Sequence, residues 1–259
     1  MFYNFCYYFL MFIIYSFLGW VMEVVGKLIE KHKFINRGFL VGPVCSIYGW
    51  GCILMYFFLY KYQDNLFVLF VLSIFICSIL EYFTSYFMEK IFKTRWWDYT
   101  RRKFNLNGRI CLETMIPFGI LGCLVIRVIN PIIFSLLNNL TTNTLEFLAI
   151  VIFVIYIIDN IISTCIIFNF RNTITNFEKD ATEEITKKVK EVFLHKGYLS
   201  RRLVKAFPTM ITKKDRLLLL KEKLNNKLKK IEELSKTKIN SVKENTKEAA
   251  NNLKNYKNK

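Results

Sequence analysis

Apolar residues along the chain gather into five runs separated by polar connectors: about Phe2 to Gly26, Gly38 to Tyr60, Leu66 to Phe87, Ile110 to Leu137 and Leu145 to Phe170. A helix rises about 1.5 Å per residue, so roughly 20 apolar residues cross a hydrocarbon core of about 30 Å. Lipid offers backbone groups no partners, which leaves helices or closed barrels as spanning structures. The pattern therefore predicts an all-α fold: a polytopic membrane helix bundle of about five transmembrane helices over residues 1–170. Met1 to Asn4 has no basic stretch and no small-residue cleavage site follows, so the first run is expected to stay as a helix and not to be removed as a signal peptide.

The connectors set an expected orientation. Lys27, Lys31, Lys33 and Arg37 occupy the first, and Lys90, Lys93, Arg95, Arg101, Arg102, Lys103 and Arg109 the third, whereas the second holds only Lys61 and the fourth no basic residue. Basic loops stay in the cytoplasm. The amino terminus is then outside and the polar tail, residues 171–259, is cytoplasmic. Within that tail Leu217, Leu220, Leu224, Leu228, Ile231 and Leu234 recur every three or four positions, predicting an amphipathic helix near 214–235. Beyond Ser235 Lys, Asn and Glu dominate, the composition of a disordered end.

Charge sharpens the picture of the tail. The chain carries a formal +17, and 24 of its 37 basic residues with 11 of its 20 acids lie from Arg171 onward. Behind a membrane bundle the nearest acidic partner is the anionic lipid leaflet, so nucleic acid is the less favoured reading. Seven cysteines without C-x-x-C spacing and two histidines, His32 and His195, give no zinc pattern. Neither a metal nor a cofactor is expected.

Ionisable groups inside or at the ends of the apolar runs are the informative residues, because each is costly in hydrocarbon, by roughly 2.5–3.5 kcal/mol for Asp, Lys or Arg, unless it faces protein or water. They are Glu23, Glu81, Glu113, Arg127 and Asp159. Ser16, Gly19, Glu23 and Gly26 share one helix face, Ser73, Cys77, Glu81, Ser85 and Glu89 another, and Gly42, Ser46 and Gly49 a third. Small residues allow close helix approach. The expected result is a packed seam holding two carboxylates, with Arg127 as one counter-charge. Structural pairing and a substrate pathway both fit such a seam.

The third connector is more patterned than a charged link requires. Trp96, Trp97 and Tyr99 suit headgroup depth, Arg95 and Arg109 can fork onto carboxylate or phosphate, and Asn105, Asn107 and Gly108 permit a tight turn. Arg95, Asp98, Arg109 and Glu113 are expected to gather with Asn36 and Arg37 in one polar cluster. Met22-Glu23 followed by Phe34 to Leu40 is echoed by Met88-Glu89 followed by Phe104 to Ile110, a weak parallel repeat.

Phe17-Leu-Gly-Trp-Val-Met-Glu23, Asn36-Arg-Gly-Phe-Leu-Val-Gly-Pro43, Ile47-Tyr-Gly49, Arg95-Trp-Trp-Asp-Tyr99 and Asn107-Gly-Arg-Ile-Cys-Leu-Glu113 form an ordered set. With it the chain resembles the bacterial ABC-transporter permease family of CmpB type over about Phe12 to Pro131. The resemblance implies that Glu23, Asn36, Arg37, Gly42, Pro43, Arg95, Trp97, Asp98, Asn105, Arg109 and Glu113 stand at the family's characteristic polar positions. Together with Glu81 they are the candidate functional residues. The chain contains no G-x-x-x-x-G-K-[ST], so transport driven by ATP would need a separate ATP-binding subunit, and so few helices favour a homodimer or a second permease. No nucleophile elbow or other catalytic motif occurs, and a non-enzymatic role is preferred. The alternatives are an enzyme or binding protein for lipid-linked or phosphorylated substrates, and an organiser that docks partners through its basic tail.

The charge pattern predicts that Asp64→Cys and Asn143→Cys are labelled in intact cells by a membrane-impermeant thiol reagent, while Lys33→Cys and Thr100→Cys are protected. The reverse pattern would invert the topology.

Overall fold

The computed structural model describes residues 1–179, 190–194, 197–207 and 211–212, with isolated positions between 215 and 233. Among the described residues the helices include α1 (Phe2–Lys31), α2 (Ser46–Leu59), α3 (Leu66–Phe92), α4 (Leu112–Leu124), α5 (Asn130–Asn138), α6 (Thr142–Lys179) and α7 (Tyr198–Ala206). Four apolar helical stretches among the described residues are long enough to cross a membrane: Phe2–Glu30, Leu66–Phe92, Leu112–Asn138 and Thr142–Thr173. The third is α4 joined to α5 through a π turn, Val125–Ile129, with Pro117 inside α4. The Asn65 side chain opens α3 by accepting the Val68 N–H at 3.1 Å. α1 and α3 each end on a left-handed residue, His32 and Lys93.

The second expected helix is corrected. Of the run from Gly38 to Tyr60 only Ser46–Leu59 is α-helical, about 21 Å at 1.5 Å per residue and short of the hydrocarbon core. Hydropathy scores Gly38 to Pro43 as apolar but does not register that Gly38 sits at φ 135° or that Pro43 lacks an N–H. This irregular segment finds its partners elsewhere. Asp159, near the middle of the α6 span, accepts the Val41 and Gly42 N–H groups at 2.9 and 2.8 Å. Arg202 of α7 donates to the Leu40 carbonyl and, at 3.3 Å, to that of Gly38. Asn36 donates to the Val41 carbonyl at 3.0 Å.

α1 packs on α2 and α6, and α3 on α4 and α2. The α1–α2 approach is close: a methyl on Gly49 would collide with Ser16 Oγ and the Phe12 backbone. One core, containing Met11, Tyr15, Met55, Leu69, Ile126 and Leu145, fills the bundle. Across it Tyr15 of α1 donates to the buried Asn130 at the start of α5. A second core lies where the first and third connectors meet, and holds Phe92, Trp96, Phe170, Phe193, Leu203 and Phe207. Strand β1 (Thr94–Arg95) pairs antiparallel with β4 (Ile211–Thr212). The first and third connectors, Phe193, α7 and Ile211–Thr212 thus share one end of the bundle.

Those contacts draw the compact unit as Met1–Lys213, with Lys214–Lys259 a second unit. Phe193, Leu203 and Phe207, beyond the 170/171 junction expected from polarity, lie in a stretch that is basic overall yet supplies part of the second core. In the second unit residues 215–218, 225, 226, 228 and 233 are helical. The rest of the Leu217 to Leu234 stripe and the stretch past Ser235 lie outside the described residues.

Truncation after Lys213 should leave the melting temperature of the purified protein unchanged, whereas truncation after Arg171 should lower it, since buried Phe and Leu side chains are worth about 1.5–3 kcal/mol each. Equal melting of both truncations would remove residues 190–213 from the fold.

Candidate functional site

The polar residues singled out from sequence divide into three groups. The first is a sealed ion network at the end of α3. Glu89 Oε2 accepts Arg95 Nη2 at 2.9 Å, Arg95 Nε at 3.1 Å and Arg109 Nη2 at 2.7 Å. Arg95 also donates to Asp98 at 3.3 Å and to the Asn107 carbonyl at 2.7 Å. Arg109 donates to Ser85 at 3.1 Å and lies over the Tyr82 and Tyr86 rings. A hairpin builds this geometry: β2 (Asn105–Leu106) pairs with β3 (Ile110–Cys111), and the turn between them passes through Asn107 and Gly108 at φ 53° and 66°. Asn105 accepts the Gly108 N–H at 2.9 Å, and Trp97 donates to the Arg109 carbonyl at 3.1 Å. The hairpin turns Arg109 back toward α3.

Glu113 does not join this group. It pairs with Arg102 at 2.9 Å on an exposed surface, because α4 starts at Leu112 and carries its first turn away from the hairpin. Asn36 and Arg37 stand apart as well. Arg37 pairs with Glu23 at 3.3 Å, Tyr48 donates to the other Glu23 oxygen at 2.7 Å, and Trp20 donates to Asn36 at 2.7 Å. The single cluster expected from sequence is therefore two separate networks and a surface pair. Arg127 reaches the Gln63 carbonyl at 2.6 Å and so is no counter-charge for the seam.

The third group surrounds a cavity of about 430 Å³. Its walls come from α1, α2, α3, α4 and α6 with the irregular segment, the third connector and Phe207, and they are largely apolar and aromatic, including Trp50, Met55, Phe118 and Phe207. Glu23, Arg37 and Glu81 are its charged lining residues. Glu81 is 7% exposed. One of its oxygens accepts the Tyr99 hydroxyl at 3.2 Å, and the other makes no hydrogen bond. Burial, then the Glu81 charge, pushes the Tyr99 hydroxyl above its ordinary range, so the phenol stays protonated and serves as a donor. Among the described residues no group of three or more His, Cys, Asp or Glu is placed to hold a metal ion.

Sequence pointed to Glu23 and Glu81 as embedded acids, but not to Tyr48 and Tyr99 as their donors or to Glu89 as the hub of the arginines. Glu89 was visible only as the last step of a four-residue stripe. Its role depends on the hairpin.

A family model described as "Putative ABC-transporter type IV" matches residues 10–164. The match runs past Pro131 through most of the α6 span. No curated protein and no solved structure matches the chain.

Glu89→Gln should destabilise the protein by about 3–5 kcal/mol, because it leaves buried Arg95 and Arg109 without their shared carboxylate. Glu113→Gln should cost no more than about 1 kcal/mol, as expected of an exposed pair. Combining Arg109→Glu with Glu113→Arg should not restore stability. Chemical denaturation of the purified variants checks all three, and rescue by the swap would contradict the assignment of Arg109 to Glu89.

Proposed function

The chain belongs to the family described as "Putative ABC-transporter type IV", and on that premise we propose that it is the membrane-embedded permease subunit of a transporter whose ATPase is a separate chain. The observation that carries this reading is the cavity: an apolar chamber with an embedded carboxylate, walled in part by a broken helix. Transporters place substrate sites near the membrane midplane beside discontinuous helices, where irregular backbone can line a cavity. Glu81 lies near the middle of α3 and Asp159 near the middle of the α6 span.

The segment from Arg37 to Cys45 completes a fifth crossing that α2 is too short to make alone. The amino terminus is outside and the basic connectors and tail are cytoplasmic, where the tail meets anionic lipid. That side, where the first and third connectors meet, also faces a nucleotide-hydrolysing partner. A homodimer or a second permease supplies the remaining helices of the pathway. The alternative of an anionic, lipid-linked or phosphorylated substrate needs available arginines at the boundary. Arg95 and Arg109 are committed to Glu89, and Arg37 to Glu23, so that alternative is the weaker one.

Mild-detergent affinity purification from the native membrane should recover a chain carrying G-x-x-x-x-G-K-[ST], with ATPase activity in the eluate. Repeated recovery without any nucleotide-binding chain would overturn the permease reading.

A further inference from the structure

Three partly buried carboxylates elsewhere in the bundle, Glu23, Glu89 and Asp159, are matched. Glu89 accepts from two arginines, Glu23 pairs with Arg37, and Asp159 accepts two backbone N–H groups and the Ser163 hydroxyl at 3.0 Å. Glu81 differs. Its hydrogen-bond partner Tyr99 is neutral, its second oxygen lacks a partner, and it lines the cavity with no cation paired to it. An ionised carboxylate in such surroundings is costly unless a proton or another positive group comes to it. Arg37, the cation of the same lining, is held by Glu23.

The rest of the lining narrows the class of that positive group. A divalent metal needs several oxygen ligands, and no acidic cluster of that kind is present among the described residues. Trp50, Trp97, Phe118 and Tyr99 instead supply aromatic rings to the lining, with Met55 and Leu121 as apolar neighbours. Aromatic faces attract organic cations, and apolar walls bury a hydrocarbon or aromatic body.

We propose that the cavity binds an amphipathic organic cation, with a primary ammonium donating to the unpartnered Glu81 oxygen and an aromatic or aliphatic body packed along Trp50, Met55 and Phe118. The proposal deepens the permease reading by giving its chamber a substrate class, and it rests on that chamber being a ligand site.

The test uses the full chain in nanodiscs of zwitterionic lipid, with empty discs subtracted. The probe is dansylcadaverine, a fluorescent aromatic body with a primary ammonium, and the comparator is its N-acetyl derivative, which keeps the body and loses the charge. Saturable dansyl enhancement is expected, with at least tenfold tighter binding of the amine than of the acetylated probe. Glu81→Gln should bring the amine down to the acetylated level without lowering thermal stability. Should that variant fail to accumulate, Thr84→Phe, one turn along α3 on the same wall, places a ring in front of the carboxylate and should abolish the preference. Equal binding of both probes to the unaltered protein would overturn the cation proposal while leaving a ligand chamber. A preference surviving in Glu81→Gln, or in Thr84→Phe, would place the cation elsewhere and also overturn it. Absence of binding by both probes would overturn the proposal and remove the support the chamber gives the permease reading.

Discussion

Backbone that leaves helical geometry inside a membrane bundle must find partners for its N–H and C=O groups, since hydrocarbon supplies none. Residues 38–45 meet that constraint from two directions. The Asp159 carboxylate takes the N–H groups of Val41 and Gly42, and the Arg202 guanidinium takes the carbonyls of Gly38 and Leu40. Much of the remaining architecture follows. α6 must present Asp159 beside the broken segment, and α7 must dock at the bundle end to deliver Arg202, which brings Leu203 and Phe207 into the second core. The cavity exists because a straight helix does not occupy this position.

The echo between the two halves acquires physical content in the same frame. Each half is a helix ending on a left-handed residue, an irregular connector containing a positive-φ glycine, and a second helix returning into the bundle. Each Met-Glu glutamate binds an arginine of its own connector, Glu23 with Arg37 and Glu89 with Arg109. Small residues serve both helix pairs: Ser16 faces Gly49, and Ser73 faces Gly122, where an added methyl would collide with the serine hydroxyl. These matches recur at the level of contacts as well as letters, as a parallel repeat would require.

Hydropathy made the long spans legible, since α1, α3, the α4–α5 pair and α6 are continuous apolar stretches and their length alone dictates helices. It failed at α2, where six apolar or small letters conceal a glycine at φ 135° and a proline. The embedded acids were legible as costly groups, but their partners were not. Asp159 meets backbone 118 residues away, and Arg202 comes from a stretch whose composition reads as a solvated tail. Nearness in sequence misled in the opposite direction. Arg109 and Glu113 are four apart and of opposite charge, yet the hairpin turns one toward α3 and the start of α4 carries the other into solvent. Local spacing predicts contact only when one regular element carries both residues.

The two halves differ where function would require it. In the second, the arginines and Glu89 close into a network that lies outside the cavity lining, a lock that holds the hairpin on α3. In the first, the corresponding pair, Glu23 and Arg37, opens onto the cavity and shares Glu23 with Tyr48. Glu81 adds a second carboxylate to that chamber and brings no cation with it. A symmetric pair of locks would yield a rigid bundle with its charges balanced in place. Replacing one lock by a half-matched site leaves the chamber lined by two carboxyl groups and one arginine in an apolar surround, and the proposed cation binding rests on that imbalance.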